Sequence, residues 1–258
     1  MRLAALELPA RFGRPEEQLA LARELLSASP ADVALLPEAS LTGYVSARSR
    51  LGPDSRFARA RGPRLDFDLA RFGEPADGPT ARALAALARE QGTHLFGPLV
   101  ERDGERVYNT CIGFDRAGRE IARYRKRHPW YPETWATPGE DPHPVFEVEG
   151  LRVTIAICFD IHFVNGSAEG GTPQTRTAVT LPDADVLLFP SAWVEEEDTR
   201  PILLPDLARR RGLTIVNANW GPGEPRLPGQ GHSCIVRPSG EITTLAPGTY
   251  RVDLELPG

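Results

Sequence analysis

The apolar residues of this chain are cut into short, strand-length runs, each ended by a proline, a charge or a turn residue. Val33-Ala34-Leu35-Leu36 stops at Pro37, and the apolar stretch 151–157 runs into Cys158-Phe159-Asp160. Residues 186–189, 214–219 and 233–237 repeat the pattern, the last closed by the turn Pro238-Ser239-Gly240. Such runs read as short buried strands.

Helical patterns stand between them. Residues 15–27 set Leu19, Ala22, Leu25 and Leu26 on one face, with Pro15 suited to the first turn. Residues 79–91 turn Leu84, Leu87 and Ala88 inward and meet Gly92, a C-terminal stop. A third helix is expected at about 201–211. The chain thus begins β-α-β. Residues 94–100, 106–114 and 119–125 read as successive strands, with Asp115-Arg116-Ala117-Gly118 as the turn before the last, and 145–149 as one more. Residues 45–78, 128–144 and 164–182 are irregular. Without a repeat or a linker, the expectation is one α/β domain over 1–258.

A chain of 258 residues buries roughly three-quarters of its unfolded surface. No stretch approaches the ~20 apolar residues needed to span a bilayer, and Glu7 and Pro9 interrupt the first run too early for a secretory signal. A net charge of −5 gives no reason to expect nucleic acid. Cys111, Cys158 and Cys234 form neither a disulfide framework nor a metal pair, and His94, His128, His143 and His232 lack metal spacing. A cytoplasmic protein is expected, with no metal, no nucleic acid and no membrane among its partners.

Of 30 basic residues only Lys126 is a lysine. Chance survival on a solvated face would explain it. So would a position where a compact ammonium fits and the planar fork of arginine does not. Lys126 ends the run 121–125, Glu38 follows the run 33–37, and Cys158 follows 151–157. Side chains at the C-terminal ends of buried strands face the crevice where α/β proteins bind ligands. Singly, Cys158 could be an inert core thiol and Glu38 a turn cap. Together a thiol, a carboxylate and an ammonium supply nucleophile, base and oxyanion partner.

The segments LLPEASLTGY (35–44), YNT (108–110), YRKRHPW (124–130), ICFD (157–160), PSAW (190–193) and GHSCIVRPSGEI (231–242) resemble the carbon–nitrogen hydrolase family, also called the nitrilase superfamily. They occur in the family's order and span nearly the whole chain. The resemblance implies a four-layer α-β-β-α sandwich and a catalytic Glu38, Lys126 and Cys158. It implies cofactor-free hydrolysis of a small linear amide through a cysteine thioester, with the Phe159 N–H as a second oxyanion donor. A homodimer or higher homo-oligomer is expected on the same ground. PWYPETWATPG (129–139) resembles the aliphatic-amidase loop that carries a second, substrate-positioning glutamate, which makes Glu133 the candidate and Glu140 the alternative. Trp193 either lines the pocket or packs in the core. Cys158-Phe159-Asp160 is similar to the amidase and carbamoylase branches, whereas true nitrilases resemble Cys-Trp-Glu at this place.

The chain departs from the pattern after the cysteine. Ile161-His162-Phe163-Val164-Asn165-Gly166 stands where those branches continue with an arginine, an aromatic and Pro-Glu. His162 takes the place of that arginine and keeps a Cys158–His162 dyad open as a rival. An N-carbamoyl amino acid hydrolase is the runner-up reading, and a non-catalytic ligand-binding protein on the same fold is the alternative of another class. The loop 45–66 carries Arg48, Arg50, Arg56, Arg59, Arg61 and Arg64, either a solvated face or an attractor of carboxylate-bearing substrates.

Overall fold

The computed structural model describes residues 1–43, 72–130, 133, 135–164, 180–193, 198–223 and 229–257. The arginine-rich loop 45–66 lies outside them, as do residues 165–179 of the segment after Cys158.

Two sheets stack face to face. The first is built from β1 (Arg2–Leu6), β3 (Val33–Leu35), β4 (His94–Asp103), β5 (Arg106–Phe114), β6 (Glu120–Arg125) and β13 (Arg251–Glu255), in the order β13-β1-β3-β4-β5-β6. The second holds β7 (Val145–Val148), β8 (Leu151–Ile155), β9 (Val186–Ser191), β10 (Thr214–Gly221), β11 (Cys234–Val236) and β12 (Ile242–Thr244), in the order β12-β11-β10-β9-β8-β7. The short β2 (Leu8–Pro9) pairs with β10. At the centre of each sheet three strands run parallel, β1-β3-β4 in one and β8-β9-β10 in the other, with antiparallel strands outside them.

Side chains alternate across a strand, so each face finds its own layer. From β1 and β3, Ala4, Leu6, Ala34 and Leu36 meet Ala22 and Leu26 of α1 (Pro15–Ala28) and Leu84 and Leu87 of α2 (Pro79–Gln91). Their neighbours Leu3, Ala5, Val33 and Leu35 join Ile155, Leu188 and Ile215 of the second sheet in the central core. A third helix, α3 (Arg200–Arg211), packs on β10 and β11 and adds Leu204, Leu207 and Ala208. The layers are therefore α-β-β-α, as the resemblance implies. None of the helices among the described residues is long and apolar enough to cross a membrane.

The helix ends follow their sequence signals. Gly92 closes α2 with φ 59°, the left-handed conformation that a Cβ disfavours, and its N–H returns to the carbonyls of Ala88 and Arg89. Sequence periodicity misjudges one face of α1. Gln18 is buried there, where its amide donates to the carbonyls of Pro9 and Ser40, while Leu19 and Leu25 are only partly covered. The pattern also misses β12 and β13. Ile242–Thr244 is half exposed, and β13 shows only Val252 and Leu254 inward between exposed or half-exposed residues. Such a strand declares itself through its pairing with β1 rather than through an apolar run.

Candidate active site

Four strand ends meet at one end of the sandwich. The residue Glu38 lies just past β3, Lys126 directly after β6, Cys158 just past β8 and Ala192 directly after β9. The strand β6 is two antiparallel steps from β4 and so runs in the same sense, which brings its end to the same side as that of β3.

Each approach is fixed by the backbone around it. Lys126 donates its N–H to the carbonyl of Asn109 at 2.8 Å, and its own carbonyl accepts the N–H of Gly139 at 2.8 Å. A side chain at Gly139 would collide with the Arg125 carbonyl, a Cβ lying 2.2 Å from that oxygen, so glycine is required for this closure. The Trp220 indole donates to the carbonyl of Glu38 at 2.5 Å. At Cys158 the chain turns sharply from strand into a short 3-10 helix, Cys158–Phe163, with φ 44°. A non-glycine residue in the left-handed region costs on the order of 1 kcal/mol or more, and here the turn presents the sulfur to the strand ends.

The ammonium of Lys126 sits between two carboxylates. It donates to Glu38 Oε1 at 2.6 Å and to Glu133 Oε2 at 2.5 Å, and all three side chains are fully buried. Asn109 closes the ring, its amide nitrogen donating to Glu38 Oε1 and to Glu133 Oε1, each at 2.7 Å. Glu133 Oε2 also receives the Trp130 N–H at 2.6 Å, and Glu38 Oε2 receives the Ala192 N–H at 2.9 Å. The thiol of Cys158 lies close enough to this cluster to interact with the charges of Glu38 and Lys126.

Burial and neighbouring charge set the protonation states. Burial pushes Glu38 up to about 7, with the Glu133 charge adding to the rise and the Lys126 ammonium opposing it. Burial, then the nearby Glu38 charge, holds the Cys158 thiol well above its ordinary value. Burial alone would lower Lys126, but the carboxylates of Glu133 and Glu38 outweigh it and keep the ammonium charged above its usual range. At rest the site therefore holds a neutral thiol against a carboxylate of near-neutral affinity for protons, with a permanent positive charge beside both.

A second buried knot ties the cysteine turn to the lysine segment. Asp160 is fully buried and accepts four hydrogen bonds: Tyr124 Oη at 2.9 Å, the Ile157 N–H at 3.0 Å, the His128 N–H at 2.9 Å and the His128 ring Nδ1 at 2.8 Å. Burial raises its affinity for protons, but the His128 hydrogen bond and nearby positive charge, Lys126 included, outweigh that and lower it. The ring of His128 then stacks on Phe163, centroids 4.2 Å apart.

Sequence reasoning and geometry can be compared residue by residue. Glu38, Lys126, Cys158 and Glu133 come together. Glu140 does not, since its side chain is 85% exposed. Half-buried Phe159 adjoins the thiol in the chain, and Trp193 follows Ala192 with its N–H bound to Asn219 Oδ1 at 2.7 Å. His162 packs against Phe159 and Trp193, and its Nε2 has no hydrogen-bond partner among the described residues, so the dyad is not formed through that nitrogen. Cys111 and Cys234 are buried, their thiols pushed by burial up to about 12 and about 11. Asn109 and Asp160 were legible only as letters within motifs, because nothing in a single sequence marks a buried polar residue inside an apolar strand or turn as a bridge.

Comparison with known proteins bears on the family and the fold. The carbon-nitrogen hydrolase family model matches residues 2–250. A 2-oxoglutaramate amidase of Bacillus subtilis is 27% identical over 251 residues, covering 93% of this chain and 84% of the relative. A nitrilase of Pyrococcus abyssi is 26% identical over 254 residues, covering 96% and 86%. Among solved structures, a nitrilase-superfamily amidase from Nesterenkonia AN1 superposes with a TM-score of 0.76 at 26% identity, over 100% of this chain and 92% of the neighbour. One variant of that amidase carries acrylamide added at its active site cysteine, and another is in complex with butyramide. With both sheets, the layer order and nearly the whole sequence accounted for, this chain belongs to the carbon–nitrogen hydrolase family.

Proposed function

We propose that the chain is an amidase that hydrolyses small linear amides through a thioester on Cys158, using Glu38 as proton carrier and Lys126 as a fixed positive charge. The observation that carries this reading is the buried Glu38–Lys126–Glu133 cluster with the Cys158 thiol close enough to feel the charges of both Glu38 and Lys126. Amidase neighbours with an active site cysteine support it.

As the sulfur attacks the amide carbonyl, its proton passes to Glu38, and the carbonyl electron pair moves onto oxygen. The ammonium of Lys126 and the N–H of Phe159 face that developing oxyanion. Collapse of the tetrahedral intermediate breaks the carbon–nitrogen bond, and Glu38 returns its proton to the leaving nitrogen, giving ammonia and a thioester. Water then attacks the thioester, Glu38 takes the water's proton, and the departing sulfur recovers it as the carboxylic acid is released. No step calls for a cofactor. Glu133 fixes the position of Lys126 through one carboxylate oxygen and that of Asn109 through the other. Phe159 and Trp193 border the pocket.

The same machinery would open an N-carbamoyl amino acid, with carbon dioxide released beside ammonia. Ammonia measured over aliphatic amides, ω-amides and N-carbamoyl amino acids is expected from the wild-type protein on simple amides, with no carbon dioxide and none from Cys158→Ala. Carbon dioxide in step with ammonia would instead assign the carbamoyl reading, and a binding protein would release neither. Lys126→Arg is expected to reduce kcat/KM by at least about a thousandfold, since it keeps the charge but forces a larger, planar group into a fully enclosed site. Wild-type rates in a variant whose circular dichroism is native would remove Lys126 from the mechanism. The pH profile follows from Glu38. Below its value of about 7 the carboxyl is protonated and cannot accept the thiol proton, so kcat/KM should climb tenfold per pH unit on the acid side and level off above. A profile flat from pH 5 to 8, the range where an ordinary glutamate is ionised, would contradict a base whose affinity burial has raised to about 7.

A further inference from the structure

Beside the reacting groups lies an aromatic wall with two unused polar atoms. Trp193 is 3% exposed, and its indole Nε1 has no hydrogen-bond partner among the described residues. His162, in the turn that begins at Cys158, leans on it with ring centroids 5.4 Å apart and 33° between the planes. The imidazole Nε2 is likewise buried and without a partner among the described residues. Phe159 packs on the other side of His162 at 5.2 Å. Burying two such atoms without a partner is costly, on the order of 1 kcal/mol or more each. A ligand that paired with both atoms would remove that cost.

We propose that Trp193 Nε1 and His162 Nε2 form a polar subsite for an uncharged hydroxyl on the acyl chain of the substrate amide. This rests on the amidase reading above and narrows its substrate class. A hydroxyl suits the pair because the indole only donates, whereas the imidazole nitrogen donates or accepts according to its tautomer, and an alcohol oxygen answers both. A carboxylate suits it poorly. Burial lowers the affinity of His162 for protons, so the ring is neutral at pH 7. Arg200, 5.9 Å from the centre of the Trp193 ring, is already committed to Asp198, Asn217 and the carbonyl of Gly231. Glu38 and Glu133 add negative charge nearby.

The test uses three amides that differ only at one terminus: butyramide, 3-hydroxypropanamide and succinamate, with methyl, hydroxyl and carboxylate in turn. In the wild-type protein kcat/KM should favour the hydroxyl over the methyl by about tenfold or more, the worth of two hydrogen bonds made to otherwise unpaired groups, with the carboxylate last. Trp193→Phe and His162→Phe keep the rings and remove the nitrogens, and each should bring the hydroxyl-to-methyl ratio close to one. His162→Gln, which keeps a polar atom near the same place, should restore part of it. A loss of folded protein lowers both rates alike and leaves the ratio intact, so the ratio isolates the subsite. Three results overturn the inference: a wild-type ratio of one or less, a preference for succinamate, or a ratio unchanged in both phenylalanine variants. Hydrolysis of none of the three by the wild-type protein would instead contradict the amidase reading and the inference with it.

Discussion

An ammonium held between two carboxylates, with all three groups shut away from water, is the constraint on which the rest of this molecule depends. Lys126 reaches Glu38 and Glu133 at 2.6 and 2.5 Å, and none of the three side chains is exposed. Burying charges is expensive, and a buried pair repays the cost only when geometry is good and every remaining lone pair is answered. Here it is answered: by Asn109 to both carboxylates, by the Trp130 N–H to one and by the Ala192 N–H to the other. Two negative charges against one positive leave an excess that the low-dielectric interior does not tolerate. Burial is the main cause that raises Glu38 toward neutrality, with the Glu133 charge adding to the rise and the Lys126 ammonium opposing it. The proposed proton carrier thus acquires its near-neutral affinity mainly from its burial.

The fold exists around that cluster in the sense that four strand ends deliver its parts. Parallel strands at the centre of each sheet point their C-terminal ends the same way, and the face-to-face stacking brings Glu38 and Lys126 from one sheet against Cys158 and Ala192 from the other. Glu38 is joined to both sides, by Lys126 and Asn109 from its own sheet and by the Ala192 N–H from the opposite one. Asp160 does the same work one layer away, since Tyr124 and His128 belong to the lysine strand and its continuation while Ile157 belongs to the cysteine turn. The left-handed backbone at Cys158 is sustained between these two ties.

What could be read from the letters follows the same physics. The apolar runs and their stops show the inner strands, because those are buried on both faces, and strand ends mark where chemistry is possible. The lone lysine stands out because arginine has taken every other basic position. Glu133 could be separated from Glu140 only by likeness to a known loop, and the geometry agrees, one carboxylate enclosed and the other in solvent. The bridging roles of Asn109 and Asp160 stayed hidden, because each acts between segments far apart in the chain. The edge strand β13 was hidden for a related reason, its place being set by β1 rather than by its own apolar content. His162 was visible as a departure, but only its packing against Trp193 gives that departure a chemical meaning.

The most direct measurement of the central claim is the mass of the intact protein, acid-quenched within the first turnovers on butyramide. The account predicts a transient species heavier by the acyl group, equivalent to the amide less ammonia, with the added mass located on the peptide containing Cys158. A protein that turns over amide while its mass never changes, or that carries the acyl group on another residue, would contradict it.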